Sequence, residues 1–535
     1  MPLGLYVSRC SGRVDDVVDI DRALEDARRQ AAVVRVFDDL FDAQVQDRMV
    51  KDVADAELDS VVLAGHSADH YARSLSGKQL QQRLVDAGVN PNRIVAANLL
   101  EQCVAVHGDD PKGATRKAKA MIDIACLRAT VSEAVEGIEA QPRRAVLVLG
   151  ASMEGMVAAQ RLLQLGYSVV IADRGSGIAE LLESPTMRAT VAYVSGHPSS
   201  EFVDHARLVD GSGWLGDYAV TLNAPGGDVT YRAGGILIAL TRDTDWIAEL
   251  RQHFKVDIDD EGRARSLEPA THPAETVDPG IMVVPLREES DSVADKVSAA
   301  DAAAMALVLK LSQPRTVHYV EVSQVDETLC GGCGSCVKTC AFGACSIDEN
   351  GLSHVDVRRC RGCGKCVVSC PVGARDIVNS PHDYLMEAIR TLAEVDTDSQ
   401  EKVLGFLCSG CGYPAADRAS AVAAENGGTY PASFLPVQIP CGGRLDTLYV
   451  LEAFRSGFDG VAVFRCREGH CHNLIGNLDM DRRVNLLRTV LRSRNLDDSR
   501  LRIIDISPSE GQRFIDQVND VYESIGSLGT RKGGL

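Results

Sequence analysis

Cys330-Gly-Gly-Cys333-Gly-Ser-Cys336-Val-Lys-Thr-Cys340 is followed, after nineteen intervening residues, by Cys360-Arg-Gly-Cys363-Gly-Lys-Cys366-Val-Val-Ser-Cys370-Pro371. Each half is a C-x2-C-x2-C-x3-C run, the spacing that wraps a [4Fe–4S] cluster in two-cluster ferredoxins, where the fourth cysteine of each run ligates the other cluster. The short gaps let three thiolates of one tight loop face a single cube, and the glycines let backbone N–H groups turn toward the sulfurs. The spacing therefore predicts one cube on Cys330, Cys333, Cys336 and Cys370, and a second on Cys360, Cys363, Cys366 and Cys340. Zinc sites instead show two cysteine or histidine pairs parted by a spacer, so a structural zinc protein is the weaker reading.

Around this block lie 535 residues, 45% hydrophobic and 24% charged, enough for about three to five domains of ~100–200 residues. The formal charge of −19 argues against a nucleic-acid binder or a basic membrane-surface patch. Thirteen of the seventeen cysteines fall in ligand-like clusters, which points to a reducing compartment, and the cytoplasm is the expected location. The first residues run straight into a strand-like segment, so no signal peptide is expected. No uncharged apolar run reaches ~18 residues, so no direct membrane span is expected.

Residues 1–143 read as an α/β unit, with apolar runs at Leu3–Ser8, Ser60–Ala64 and Arg93–Ala97 and helical spacing at Val17–Arg29 and Lys78–Ala87. Cys10 and Cys103 follow the first and third runs and read as core or loop residues. Residues 144–323 open on a Rossmann-like unit. The apolar run Ala145–Leu149 leads into Gly150-Ala-Ser152-Met-Glu-Gly155, a helix through Leu165, and a second strand ending before Asp173. That context makes Gly150, Ser152, Gly155 and Asp173 the candidate cofactor residues for FAD, with Asp173 placed for a ribose hydroxyl. Ser152 replaces the central glycine, and Glu154 puts a carboxylate where phosphates need the positive helix end, so FAD binding is expected to be weak or absent. Leu181–Arg242 reads as β-rich, with strands at Ala189–Ser195, Asp217–Leu222, Val229–Arg232 and Gly235–Leu240. Residues 244–280 read as a polar connection, and a helix is predicted over Ser292–Leu311.

The ferredoxin block is assigned to 324–380 as an α+β module. A helical linker over 381–402 starts at Ser380-Pro381, with an N-cap and a proline at the first helical position. Residues 403–535 alternate strands (Val403–Leu407, Phe434–Ile439, Val461–Phe464, Leu501–Ile506) with helical stretches, which predicts a parallel α/β domain. Three of these strands run into Cys408, Cys441 and Cys466, and Cys411 and Cys471 join from loops. Strand carboxyl ends share one edge of a parallel sheet. Five thiols there exceed the needs of a core, and four suffice for one [2Fe–2S] cluster. His470 and His472 read as local hydrogen-bonding or surface residues. The fold class is thus multidomain α/β.

Taken in order, these signals resemble the A subunit of heterodisulfide reductase joined to the delta subunit of methyl-viologen-reducing hydrogenase. The first resemblance rests on Ala96-Ala-Asn-Leu-Leu-Glu-Gln-Cys103-Val-Ala-Val-His107, the Rossmann turn and the ferredoxin block. The second rests on Cys408-Ser-Gly-Cys411, Cys441-Gly-Gly-Arg444-Leu-Asp446, Cys466-Arg-Glu-Gly-His-Cys471-His and Arg482-Arg483. It implies a [2Fe–2S] cluster in the last domain and an electron-transfer role in a multi-subunit oxidoreductase. The implied partners are heterodisulfide reductase-like, hydrogenase or formate dehydrogenase subunits, through which the chain would reach a membrane, with catalysis in those partners. The family's A subunits carry a full flavin module. Here the span from Leu240 to Ile281 is too short for the usual second half, and the turn Asp173-Arg174-Gly175-Ser176-Gly177 keeps the family pattern only in part. The alternative function is an FAD-containing, electron-bifurcating catalytic subunit. No acid–base dyad or nucleophile constellation stands out in either case.

Overall fold

The computed structural model describes residues 1–175, 178–239, 244–257, 264, 273–284, 292–398 and 401–529. Among the described residues the architecture has three parallel sheets, a three-stranded antiparallel sheet, the antiparallel pair Gly137–Ala140 with Thr316–Tyr319, and a small cysteine-rich module, and no helix there is long and apolar enough to cross a membrane. The first sheet has strands Leu3–Ser8, Val33–Phe37, Ser60–Gly65 and Ile94–Asn98, in spatial order second-first-third-fourth and parallel throughout. Val33–Phe37 is absent from the sequence expectation because it is an edge strand, only partly covered at every position. The helix predicted over Val17–Arg29 is instead two short ones, Ile20–Ala23 and Ala27–Gln30.

The second sheet runs Ile281–Val283, Gly235–Ile238, Ala145–Leu149, Ser168–Ala172, Ser200–Val203, all parallel. An antiparallel sheet of Arg207–Trp214, Asp217–Ala224 and Gly227–Ala233 packs beside it. Two sequence expectations fail here. Ala189–Ser195 is not a strand but the heart of a helix, Pro185–Gly196. Its β-branched residues mislead, whereas Met187, Val191 and Val194 recur at helical spacing and bury against the core of the helix Met153–Gln164. The polar connection predicted from 244 begins as a helix, Thr244–His253, with Trp246, Ile247 and Leu250 buried. The predicted Ser292–Leu311 helix appears as Val293–Leu311, with a capping box on Ser292. Ser176, Gly177, Leu240 and Thr241 lie outside the described residues.

The module between has two short antiparallel pairs, Ser323–Val325 with Arg375–Ile377 and Cys345–Ile347 with Ser353–Val355, and the helices Ser335–Thr339 and Lys365–Val368. The following helix is His382–Ala393, and Pro381 rather than Ser380 occupies its N-cap. The last sheet, Phe434–Ile439, Val403–Cys408, Gly460–Cys466, Leu501–Ile506, repeats the second-first-third-fourth parallel order of the first.

Side-chain bonds join all these parts. Asn98 Nδ2 and Gln102 Nε2 both donate to Asp417 Oδ1 at 2.7 Å, tying the first sheet to the last. Arg359 pairs with Asp210 through two contacts of 2.6 and 2.5 Å, tying the cysteine-rich module to the antiparallel sheet. Arg444 is fully buried, lies 3.6 Å from Asp376, and donates to the Tyr449 hydroxyl and to Ser380 O. It fills the space beside Gly364, where a Cβ would come within 2.3 Å of its Cδ.

Candidate functional site

In the last sheet the strand order reverses between Val403–Cys408 and Gly460–Cys466, and a crevice beyond the strand ends at such a switch point is where open α/β sheets build sites. Both strands end in cysteine, and Cys408 and Cys466 bring their Sγ atoms to 3.7 Å. Cys411 also interacts with Cys466, and Cys471 with both Cys441 and Cys466, strongly enough to shift the thiols' pKa values. All five thiols are buried and belong to one core. Gly476 leaves the necessary room, since a Cβ there would lie 2.4 Å from Cys441 Sγ and 3.5 Å from Cys471 Sγ. Gly443 N donates to Cys441 Sγ over 3.4 Å.

His472 stands closer to these thiols than the sequence suggested. Its Nδ1 is 3.4 Å from Cys466 Sγ and 3.9 Å from Cys411 Sγ, and Cys411, Cys466 and His472 form a group compact enough to hold a metal ion. Its Nε2 meets Asp257 Oδ1 at 2.5 Å. Burial works against a charged ring, but the Asp257 carboxylate outweighs it and holds the imidazole well above its usual pKa. Bonding with Cys466 pulls the Cys411 thiol down to about 6 against the opposing effect of burial, and His472 adds to the pull. The thiolate is the ligating form. Asp257 and Arg251, whose Nη2 donates to Cys471 O at 3.0 Å, come from the middle of the chain. Sequence reasoning missed both because they lie more than two hundred residues from His472 and Cys471, the residues they touch.

In the ferredoxin block four of the five glycines inside the C-x2-C-x2-C loops have positive φ: 65° and 75° at Gly332 and Gly334, 62° and 74° at Gly362 and Gly364. This is the left-handed conformation that a loop folding around a cube requires and that glycine adopts without steric cost. Backbone N–H groups aim at sulfur, Ala344 N at Cys340 Sγ (3.3 Å) and Ser353 N at Cys330 Sγ (3.4 Å). Ser353 Oγ lies 3.1 Å from Cys336 Sγ and Ser323 Oγ 3.3 Å from Cys366 Sγ. Burial pushes the Cys363 thiol up to about 12, and charges on Cys366, Cys360 and Cys340 add to the shift. A donor-rich, thiol-lined core of this kind suits thiolate-bound clusters. Cys363 also packs against the core that holds the five C-terminal thiols, and its charge is felt at Cys441.

The Rossmann-like turn is arranged differently. Ser152 Oγ donates to Ala239 O at 2.8 Å and caps the helix by accepting from Gly155 N at 3.2 Å. Asp173 accepts from Ala151 N through Oδ2 at 2.9 Å and from Gly175 N through Oδ1 at 2.8 Å. Each carboxylate oxygen thus accepts one backbone N–H of the turn, and Ser152 ties the start of the helix to Ala239. Arg174 pairs with Glu249 at 2.5 Å and lies over the Trp246 ring. Gly150, Ser152, Gly155 and Asp173 do come together, in a turn that bonds largely to itself.

Known proteins divide along the same lines. Residues 403–529 match the family model described as methyl-viologen-reducing hydrogenase, delta subunit, and residues 352–374 match a 4Fe-4S binding domain. The iron-sulfur D subunit of the vhc F420-non-reducing hydrogenase of Methanococcus voltae is 35% identical over 130 residues, which are 24% of this chain and 88% of that protein. The iron-sulfur D subunit of the F420-non-reducing hydrogenase of Archaeoglobus profundus is 33% identical over 133 residues, 25% of this chain and 94% of that protein. The A subunit of the ferredoxin/F(420)H(2)-dependent CoB-CoM heterodisulfide reductase of Methanosarcina acetivorans is 39% identical over 207 residues, 39% of this chain but only 25% of that protein's length. Through residues 403–529, with their buried five-thiol edge, the chain belongs to the methyl-viologen-reducing hydrogenase delta-subunit family, carried on one polypeptide with a region similar to the A subunit of heterodisulfide reductase.

Proposed function

We propose that this chain is the electron-relay subunit of a multi-subunit oxidoreductase in the cytoplasm, carrying single electrons between a [2Fe–2S] site and two [4Fe–4S] cubes. The observation that supports this reading is the packing of Cys363, read as a ligand of the second cube, against the core of the five C-terminal thiols. When bound, the clusters supply one-electron carriers. The protein's part is to hold and shield them. Cys330, Cys333, Cys336 and Cys370 hold the first cube, Cys360, Cys363, Cys366 and Cys340 the second, and four of Cys408, Cys411, Cys441, Cys466 and Cys471 the two-iron cluster. Cys333 is exposed, so the first cube is the one a partner reaches most directly. The partners are redox subunits of the heterodisulfide reductase and hydrogenase kinds, and the chemical step on substrate belongs to them.

The test is anaerobic purification from iron-replete cells, with iron, acid-labile sulfide, zinc and flavin quantified together. About ten irons per chain, with two four-iron signals and one two-iron signal on reduction, are expected from this cluster set. A stoichiometric zinc site in place of the two-iron cluster would break the relay path.

A further inference from the structure

The ferredoxin block is an internal repeat with a period of thirty residues, and it extends beyond the cysteines. Ser323 matches Ser353, Gly343 matches Gly373, Ala344 matches Ala374 and Ile347 matches Ile377. The backbone follows the same repeat, with φ of 61° at Gly343 and 69° at Gly373, and each serine sits by the third cysteine of the other half. At one matched pair the repeat breaks in chemistry while the two side chains meet. Cys345 corresponds to Arg375, and Arg375 Nη2 donates to Cys345 Sγ at 2.7 Å.

Arg375 is 3% exposed. Among the described residues its Nε and Nη1 have no hydrogen-bond partner and no carboxylate forms an ion pair with it. Of the other buried or half-buried cations of the block, Arg358 pairs with Asp217, Arg359 with Asp210 and Lys365 with Asp479, while Arg361 donates to His253 O and lies over the Phe254 ring. A buried guanidinium without a counter-charge is strongly disfavoured, so something negative must answer it. Cys345, which it contacts, shares one small buried core with Cys336 and Cys366, and, against its burial, the charges of these three thiols favour the charged form of Arg375. Two of these thiols, Cys336 and Cys366, are ligands of different cubes under the relay reading, on which this inference rests.

We infer that Arg375, held in place by Cys345, is the shared counter-charge of the two cubes and sets both reduction potentials. Reduction adds one electron, and so one negative charge, to a cube. A fixed cation in a poorly screened interior favours that form, which makes the potential more positive. Because Arg375 addresses a ligand of each cube, it shifts both, which helps keep the cubes close enough in potential for electrons to pass either way.

The experiment is a mediated reductive titration of the full chain, followed by electron paramagnetic resonance, on wild type, Arg375→Gln, Arg375→Lys and Cys345→Ala. Arg375→Gln is expected to move both midpoints to more negative values, and Arg375→Lys to retain most of the wild-type position. Cys345→Ala should keep both four-iron signals, since all eight ligand thiols remain, and shift both midpoints negatively by less than Arg375→Gln. Unchanged midpoints in Arg375→Gln overturn the inference, as does an Arg375→Lys shift equal to that of Arg375→Gln, which would indicate packing rather than charge. Loss of a cube in Cys345→Ala overturns it as well, by making Cys345 a ligand. Should Arg375→Gln fail to assemble clusters, Cys345→Ala alone must still lower both midpoints, and unchanged values there refute the proposal. A wild type without two four-iron signals would instead refute the relay reading.

Discussion

The middle and last sheets use the same device to opposite ends. In each, the strand order reverses beside the first strand of the sheet, and the loops beyond that reversal face one crevice. In the last sheet the crevice gathers five thiols, Cys408 and Cys466 at 3.7 Å among them. In the middle sheet the turn bonds mainly to itself, with Ser152 bonded to Ala239 O and each oxygen of Asp173 accepting one backbone N–H. A switch point supplies a place for a ligand. Whether it is a site depends on whether polar or ligating atoms there remain uncommitted.

The largest effects should come from the last sheet. Cys466→Ser removes the thiol that contacts Cys408, Cys411 and Cys471, and should abolish the two-iron signal while leaving both four-iron signals. Survival of the two-iron cluster would make Cys466 the spare thiol and move the centre of the site toward Cys441 and Cys471. Within the ferredoxin block, Cys340→Ser should destroy the cube on Cys360, Cys363 and Cys366 and spare the other. Loss confined to the Cys330–Cys336 loop would refute the exchanged ligands.

The middle sheet should respond more mildly and without any cofactor signature. Asp173→Ala leaves the N–H groups of Ala151 and Gly175 without their acceptor and should cost about 1–3 kcal/mol in denaturant unfolding. Denatured wild type should release no stoichiometric flavin. One FAD per chain, lost in Asp173→Ala, would erase the contrast between the two crevices.

The smallest effect tests the joint between the ferredoxin block and the last sheet. Hydrogen bonds from Arg455 first, and then from Arg390, hold Glu452 down to about 2 although burial opposes this. Arg390 lies on the helix that trails the ferredoxin block, and Glu452 on the helix Thr447–Arg455. The folded pKa lies below the ordinary 4.5, so this contribution is complete above pH 4.5 and is lost as pH falls toward 2. Glu452→Gln should lower stability at neutral pH by about 1 kcal/mol, because both arginines are partly solvated, and the difference from wild type should vanish in acid. A constant difference across that range would assign the effect to packing.

Much of the architecture was legible because it follows from short-range rules. Cysteine spacing, glycine placement and runs of apolar residues located the ferredoxin block, the βαβ turn and all four strands of the last sheet. The failures also have local causes. Pro185–Gly196 looked β-like through its branched residues, and Val33–Phe37 was hidden because an edge strand carries a weak burial pattern. Spacing along the chain is enough for such features, since a loop of fixed length brings its own cysteines to one point.

Tertiary structure alone decided the rest. No spacing rule relates Asp257 to His472, Arg251 to Cys471, or Cys363 to the five-thiol core, because each contact joins residues far apart in the chain. Nor could a glycine pattern reveal that Asp173 bonds to its own turn, or that Arg375 lies buried without a carboxylate. The sequence by itself determined which ligating atoms the chain offers and the loops that present them. Only the packed fold decided which of those atoms converge and which are consumed, because convergence is set by the summed burial of distant segments and not by any one stretch.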